Sequence, residues 1–355
     1  MLTFHEKRIF TTAESVKELT DKINDSYDSF DFAMNTFHFE AFEVLMDCLS
    51  KIKVRKLVLH NAFATMPKEE VEKCLNCFNK LNPLNLEHLD LTDNAISTVI
   101  PPFLFDFLIR CSNLKVLKVR NCGFGAIGAK NLSDAIKDIK NKDSLQYVDI
   151  SQNRMLHGAK HIFEVLSEFK NLKSFLIKYN SISSETMDDC IPLIKDHNLE
   201  LFDITDNALS PKSCKVLGTA FQNIDQLEIG DCLMGDEGLK EFINGFLDNK
   251  PHVKIIEPVK NDDLVDKTKK EEKVKKLLNI SYNDLTQDSI DLIVENFTIL
   301  NLKKLIIYGN DEDDILQLEK LATDHGTELI FTDPEDLDED DIIPESLIKE
   351  FERIL

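Results

Sequence analysis

Gly123-Phe124-Gly125-Ala126-Ile127-Gly128 spells G-x-G-x-x-G between an apolar strand pattern and a helical one. Three glycines so placed can wrap a pyrophosphate and aim it at a helix N-terminus, as dinucleotides are held. The same sequence offers another account. Gly235 and Gly238 follow Cys232 at the offsets at which Gly125 and Gly128 follow Cys122, so the glycines belong to a recurring turn. Cys74 and Cys77 form a single C-x-x-C in a helical stretch. A structural zinc needs a second such pair or a histidine cluster, and the sequence has neither. No G-x-x-x-x-G-K-[ST], H-E-x-x-H or G-x-S-x-G occurs, and the nine histidines fall at different phases of the chain. No metal and no cofactor are expected. What remains is recognition by polar side chains held at fixed places on a scaffold.

The scaffold is legible as a repeat. L-x-x-L-x-L-x-x-N, or a close variant, occurs ten times. It is clearest at Leu86-Leu89-Leu91-Asn94, Leu114-Leu117-Val119-Cys122 and Leu145-Val148-Ile150-Asn153, and it continues through Asn180, Asn207, Cys232 and Asn310. Weaker copies end at Asn35, Ala62 and Asn283. Each copy sets three apolar side chains on one side of a short strand, then an asparagine or cysteine that can bond the loop backbone. Successive copies lie 25–32 residues apart, except for 51 between Cys232 and Asn283. That interval holds a strand, a turn and about three turns of helix. Ala129, Leu132, Ala135, Ile136 and Ile139 fall on one helical face, as do Leu239, Phe242, Ile243 and Phe246. The expected fold is α/β: a leucine-rich-repeat solenoid with parallel strands inside and helices outside. Trp is absent and Phe numbers 23, so phenylalanine is expected to fill the space between the layers.

The repeats divide the chain into an expected N-terminal helical cap (1–26), a repeat domain (27–332) with an insertion near 251–275, and an acidic segment with a C-terminal helix (333–355). The cap is read from a capping box at Thr11-Thr12-Ala13-Glu14 followed by Val16, Leu19 and Ile23. The far helix is read from Leu347, Ile348, Phe351, Ile354 and Leu355. Lys260 to Lys276 carries seven lysines interleaved with acids, which reads as a solvated loop and not as a nucleic-acid patch. With 42 basic and 64 acidic residues the net charge is −22, which repels nucleic acid and anionic membrane and attracts a basic partner. Seven carboxylates stand within Asp333–Asp341. No signal peptide or membrane-length apolar stretch is present, so a cytosolic protein with reduced thiols is expected.

The stretch Leu89–Ile136 resembles the corresponding part of the Ran GTPase-activating proteins. In that family a coil with a D-N-A-F-G-like turn precedes one with N-N-G-L-G-x-x-G-A. Gln152-Asn153-Arg154, Phe202–Asn207 and Ile229–Leu233 add matches, and the acidic segment from Asp333 has a counterpart. The similarity runs from about Phe30 to Asp341. The resemblance implies an activator, not itself an enzyme, acting on a Ran-like small GTPase in its GTP form. It makes Asn121 the catalytic residue, since the first asparagine of the family turn aligns there, with Cys122 at the ladder position. It puts partner contacts at Asp93, Arg120, Gln152, Arg154, Asp206 and Asp231. It implies no arginine finger: the asparagine amide would orient the GTPase's own water-positioning glutamine. The chain would be a cytoplasmic monomer, at or away from the nuclear periphery. One departure stands out. The loop Asn61–Lys68 lacks the arginine that family members carry two coils before the asparagine. A non-catalytic scaffold and a ribonuclease-inhibitor-like binder remain as alternative readings.

Overall fold

The computed structural model describes residues 1–97, 102–248, 276–311 and 314–333. Each of the ten apolar triplets forms a short strand, and together with Leu2–Thr3 and Glu328–Ile330 they make, among the described residues, one parallel sheet of twelve in chain order. It runs through Leu2–Thr3, Ser29–Asp31, Lys56–Val58, His88–Asp90, Val116–Lys118 and Tyr147–Asp149. It continues through Ser174–Leu176, Leu199–Asp203, Ile224–Glu228, Lys276–Asn279, Leu302–Ile306 and Glu328–Ile330. The middle apolar residues of the motif lie in register, Leu57 on Leu89, Leu89 on Leu117, Leu117 on Val148 and Val148 on Phe175. All of these side chains are buried. A chain that returns to the same register after each helix stacks identical apolar faces, so the coils share a core none could form alone. The sequence-derived solenoid is the observed fold.

Helices occupy the other layer. Gly125–Lys137 buries Ala129, Leu132, Ala135 and Ile136, and Gly235–Asp248 buries Leu239, Phe242, Ile243 and Phe246, the faces read from the spacing. Phenylalanines fill the N-terminal half: Phe10 stacks on Phe37, Phe42 meets Phe63 edge-on, and Phe78 links Phe42 to Phe107.

The ladder residues weld coil to coil. Asn94, Asn153, Asn180, Asn207 and Asn283 are all buried. The Asn153 amide donates to Val119 O and Ile150 O, both at 2.9 Å, while its oxygen accepts from Cys122 N at 2.9 Å. Cysteine serves at two rungs, the Cys122 thiol donating across to Leu91 O at 3.2 Å and the Cys232 thiol across to Ile204 O at 3.5 Å. The recurring glycines also follow the repeat. Gly125 and Gly235 have φ of 58° and 61°, and a Cβ at Gly128 or Gly238 would press on Phe124 or Met234 at 2.7 Å. The G-x-G-x-x-G is therefore a solenoid turn.

The first 26 residues differ from the expected helical cap. Only Lys17–Thr20 is α-helical. Leu2–Thr3 instead pairs with Ser29–Asp31, and Ile9–Phe10 pairs with Thr36–Phe37. The capping pair is Thr12 with Ser15, each backbone N–H donating to the other's hydroxyl, not Thr11 with Glu14. Leu2–Thr3 thus gives Ser29–Asp31 a hydrogen-bonded neighbour and leaves only a two-residue strand at the sheet edge, where a short strand exposes few unpaired N–H and C=O groups. Val16 and Leu19 still bury their side chains in the core. The lysine-rich insertion to residue 275 and the acidic run and helix stripe beyond Asp333 lie outside the described residues.

Candidate functional site

The residue just before each ladder position has a left-handed backbone. Met34, Asn61, Asp93, Asn121, Gln152, Tyr179, Asp206, Asp231, Tyr282 and Gly309 all have φ between 51° and 72°. For a non-glycine residue this costs roughly 1–2 kcal/mol, less for Asn or Asp, whose short side chains bond locally. The geometry explains the regularity. One left-handed residue swings the chain out of the strand, turning its own side chain outward and the ladder side chain inward. A row of side chains thus lines one rim of the sheet, one per coil. Five of the seven site residues expected from the sequence stand in it: Asp93, Asn121, Gln152, Asp206 and Asp231. Arg154, just past a ladder position, is also left-handed, with φ of 50°.

Asn121 is exposed and does not bond its own turn. Its Nδ2 donates to Asp93 Oδ1 in the preceding coil at 2.8 Å. The other Asp93 oxygen, Oδ2, lies 2.7 Å from His60 Nε2, one coil further back. An ionised carboxylate has only acceptors, so the NH2 of Asn121 faces Asp93 and its carbonyl oxygen faces away. Arg120 Nε donates to Gln152 Oε1 at 2.9 Å, joining two more expected residues across the next coil boundary. Asp206 and Asp231 are exposed on adjacent coils, and the Asp206 carboxyl is pushed up by burial and then by the charge of Asp231. Arg154 is exposed and joins none of these pairs. His60 was not among the residues expected from the sequence. It follows the last apolar residue of its motif, Leu59, as Thr92, Arg120 and Ser151 follow Leu91, Val119 and Ile150, and nothing in the repeat marks it.

Beside the rim, the sheet face forms a groove of about 770 Å³ that shares Tyr179, Asp231 and Tyr282 with it and is also lined by Arg120. Asp149, Asp203 and Glu228 line its floor, with Lys178 at 3.1 Å from Asp203. Burial pushes the Asp149 and Glu228 carboxyls up and the neighbouring Lys118 ammonium down. On the same face, burial and then the charges of Lys56 and Lys118 depress His88 to about 3 from 6.5. His88 is thus neutral in the fold and takes up a proton when unfolded below pH 6.5. Its contribution to stability is complete above that pH and is lost as pH falls towards 3. A loss of about 1–2 kcal/mol is expected by pH 5. Urea titrations at pH 7 and pH 5 check this, since His88→Gln removes that part of the slope.

Cys74 and Cys77 sit in apolar surroundings that push both thiols up, the Cys77 thiol to about 11, and they donate to Phe37 O and Lys73 O. Among the described residues no group of three or more His, Cys, Asp or Glu could hold a metal ion, and no helix is long and apolar enough to cross a membrane. In the loop that lacks the family arginine, Lys68 opens the helix Lys68–Asn76 and lies 4.0 Å from Glu72.

Two family models, each described as a leucine-rich repeat, match residues 85–107 and 110–133. Ran GTPase-activating protein 1 of Saccharomyces cerevisiae is 24% identical over 342 residues, covering 86% of this chain and 78% of that protein. Protein CARMIL of Dictyostelium discoideum is 25% identical over 308 residues, covering 81% of this chain but only 29% of that protein. Among solved structures, a TLR13–ssRNA13 complex aligns with TM-score 0.41 and 13% identity, over 85% of this chain and 42% of that one. The fold, the ladder and the two repeat models agree: the chain is a leucine-rich-repeat protein, similar over most of its length to the yeast Ran GTPase-activating protein 1.

Proposed function

We propose that the chain is a GTPase-activating protein for a Ran-like small GTPase, acting on its GTP form through the rim around Asn121. The observation that carries this reading is the Asn121 amide, exposed beyond the strand end with its nitrogen tied to Asp93 at 2.8 Å. The outward carbonyl oxygen can accept a hydrogen bond from the side-chain NH2 of the GTPase's glutamine. That leaves the glutamine carbonyl to hold the attacking water in line with the γ-phosphate. All bond breaking then belongs to the GTPase. The activator supplies one acceptor of fixed direction and a surface that orders the partner. Arg120, Gln152, Arg154, Asp206 and Asp231 are its contacts along the rim. The acidic groove and the net charge of −22 favour encounter with a cationic face, in the cytoplasm and as a monomer.

One observation favours a second reading, a non-catalytic binder: the loop Asn61–Lys68 offers Lys68 but no arginine. Single-turnover hydrolysis by GTP-loaded Ran, with and without the chain, separates the two. Stimulation is expected, and the strongest activators reach about 10⁵-fold. Added salt should slow association and leave the saturated rate nearly unchanged, because screening acts on long-range attraction. GTP-dependent capture without stimulation leaves a binder. Neither capture nor stimulation ends the reading.

A further inference from the structure

We propose that His60 and Asp93 are positioning residues for Asn121, forming a three-coil relay that fixes the direction in which the amide points. The kinetic consequence rests on the function proposed above, whereas the geometry does not. Asp93 has one carboxylate oxygen on each neighbour, His60 Nε2 at 2.7 Å and Asn121 Nδ2 at 2.8 Å. Its backbone leaves little room to adjust, because Asp93 N donates to Arg120 O at 2.9 Å and Asn121 N to Ser151 O at 2.9 Å. What remains free is the side chain's own torsions, and His60 restricts them by donating to the far oxygen. Without His60 the carboxylate can turn. Without Asp93 the Asn121 amide can flip, presenting NH2 where the partner needs an acceptor.

A purely structural role predicts something different. Hydrogen bonds between side chains exposed to this degree add little to stability. The relay's effect should therefore appear in the direction of one amide, not in the melting of the fold. Asp93 was expected from the sequence to be a partner contact. In the structure its oxygens already have partners, which makes it a support.

The test has two arms. In the free protein, selective ¹⁵N-asparagine labelling reports the Asn121 side-chain amide, assigned by its loss in Asn121→Ala. A distinct, ordered pair of proton signals is expected in wild type. Asp93→Ala should move it to the position of a freely rotating amide, and His60→Ala part of the way. In single-turnover kinetics with Ran, both alanine variants should lower the saturated rate about tenfold, with half-saturation within about twofold of wild type, a misaligned group costing rate more than binding. His60→Gln, which keeps a donor, should restore most of the loss. Unchanged Asn121 signals in Asp93→Ala overturn the relay whether or not Ran is stimulated. Unchanged saturated rates in both variants, with Asn121→Ala defective, overturn it while the proposed function stands. If wild type does not stimulate Ran, that function falls and the labelled amide alone decides the relay.

Discussion

Asn121→Ala should lower the saturated rate of GTP hydrolysis by Ran about 10²–10³-fold, as loss of one preorganised hydrogen-bonding group does at an oxyanion hole. The half-saturating concentration of activator should change little. The amide is one contact on a long rim, and its interaction with the glutamine matters when water is being aligned, not when the surfaces first meet. Backbone effects need a control, because Asn121 has φ of 52° and alanine tolerates that conformation less well than asparagine. Asn121→Gly removes the same amide with no such penalty. Equal rates in the two variants, despite a lower melting temperature for the alanine form, would assign the loss to the side chain. A glycine variant that stimulates normally would remove Asn121 from the mechanism.

The parts of the molecule set by the repeat could be read from sequence, and the parts set by contact between distant segments could not. Leu57, Leu89, Leu117 and Val148 announce the register because each must face one core. Cys122 and Cys232 could be placed as rungs because a thiol can still donate inward where an asparagine amide would. The rim was half legible. Asn61, Asp93 and Asn121 are residue types that accept a left-handed backbone, but Gln152, Tyr179 and Tyr282 adopt it too, and composition gives no hint there. The strand Leu2–Thr3 was missed because two residues show no period and their partners are Phe30 and Asp31, far along the chain. His60 was missed for a similar reason. Its role comes from Asp93 lying opposite in the next coil, a juxtaposition that depends on stacking and not on any local pattern. The depressed His88 likewise reflects crowding of a sheet face that a single strand would leave open to water.

Asn153→Ala should destabilise the chain by about 4 kcal/mol, because it strands several buried backbone groups at once. The side chain is 1% exposed and belongs to the coil after Asn121. Its oxygen accepts from Cys122 N at 2.9 Å, and its nitrogen donates to Val119 O at 2.9 Å, on either side of the Arg120-Asn121 turn. It also donates to Ile150 O and Ser151 O within its own coil. Alanine leaves the Cys122 N–H and the Val119 carbonyl without these partners in a dry interior. Asn153→Asp should be worse than its shape suggests, since a carboxylate would face three carbonyl oxygens that now receive N–H groups. Asn153→Cys should fall between wild type and alanine, because at two other rungs a thiol already donates inward. Urea denaturation gives the order, wild type above cysteine above alanine. Since each coil is held mainly by its neighbours, the damage should centre on the turn that carries Asn121. Stimulation of Ran should therefore fall in the same order, even at urea concentrations where every variant remains folded. An alanine variant as stable as wild type would mean that the rung is not what holds the rim.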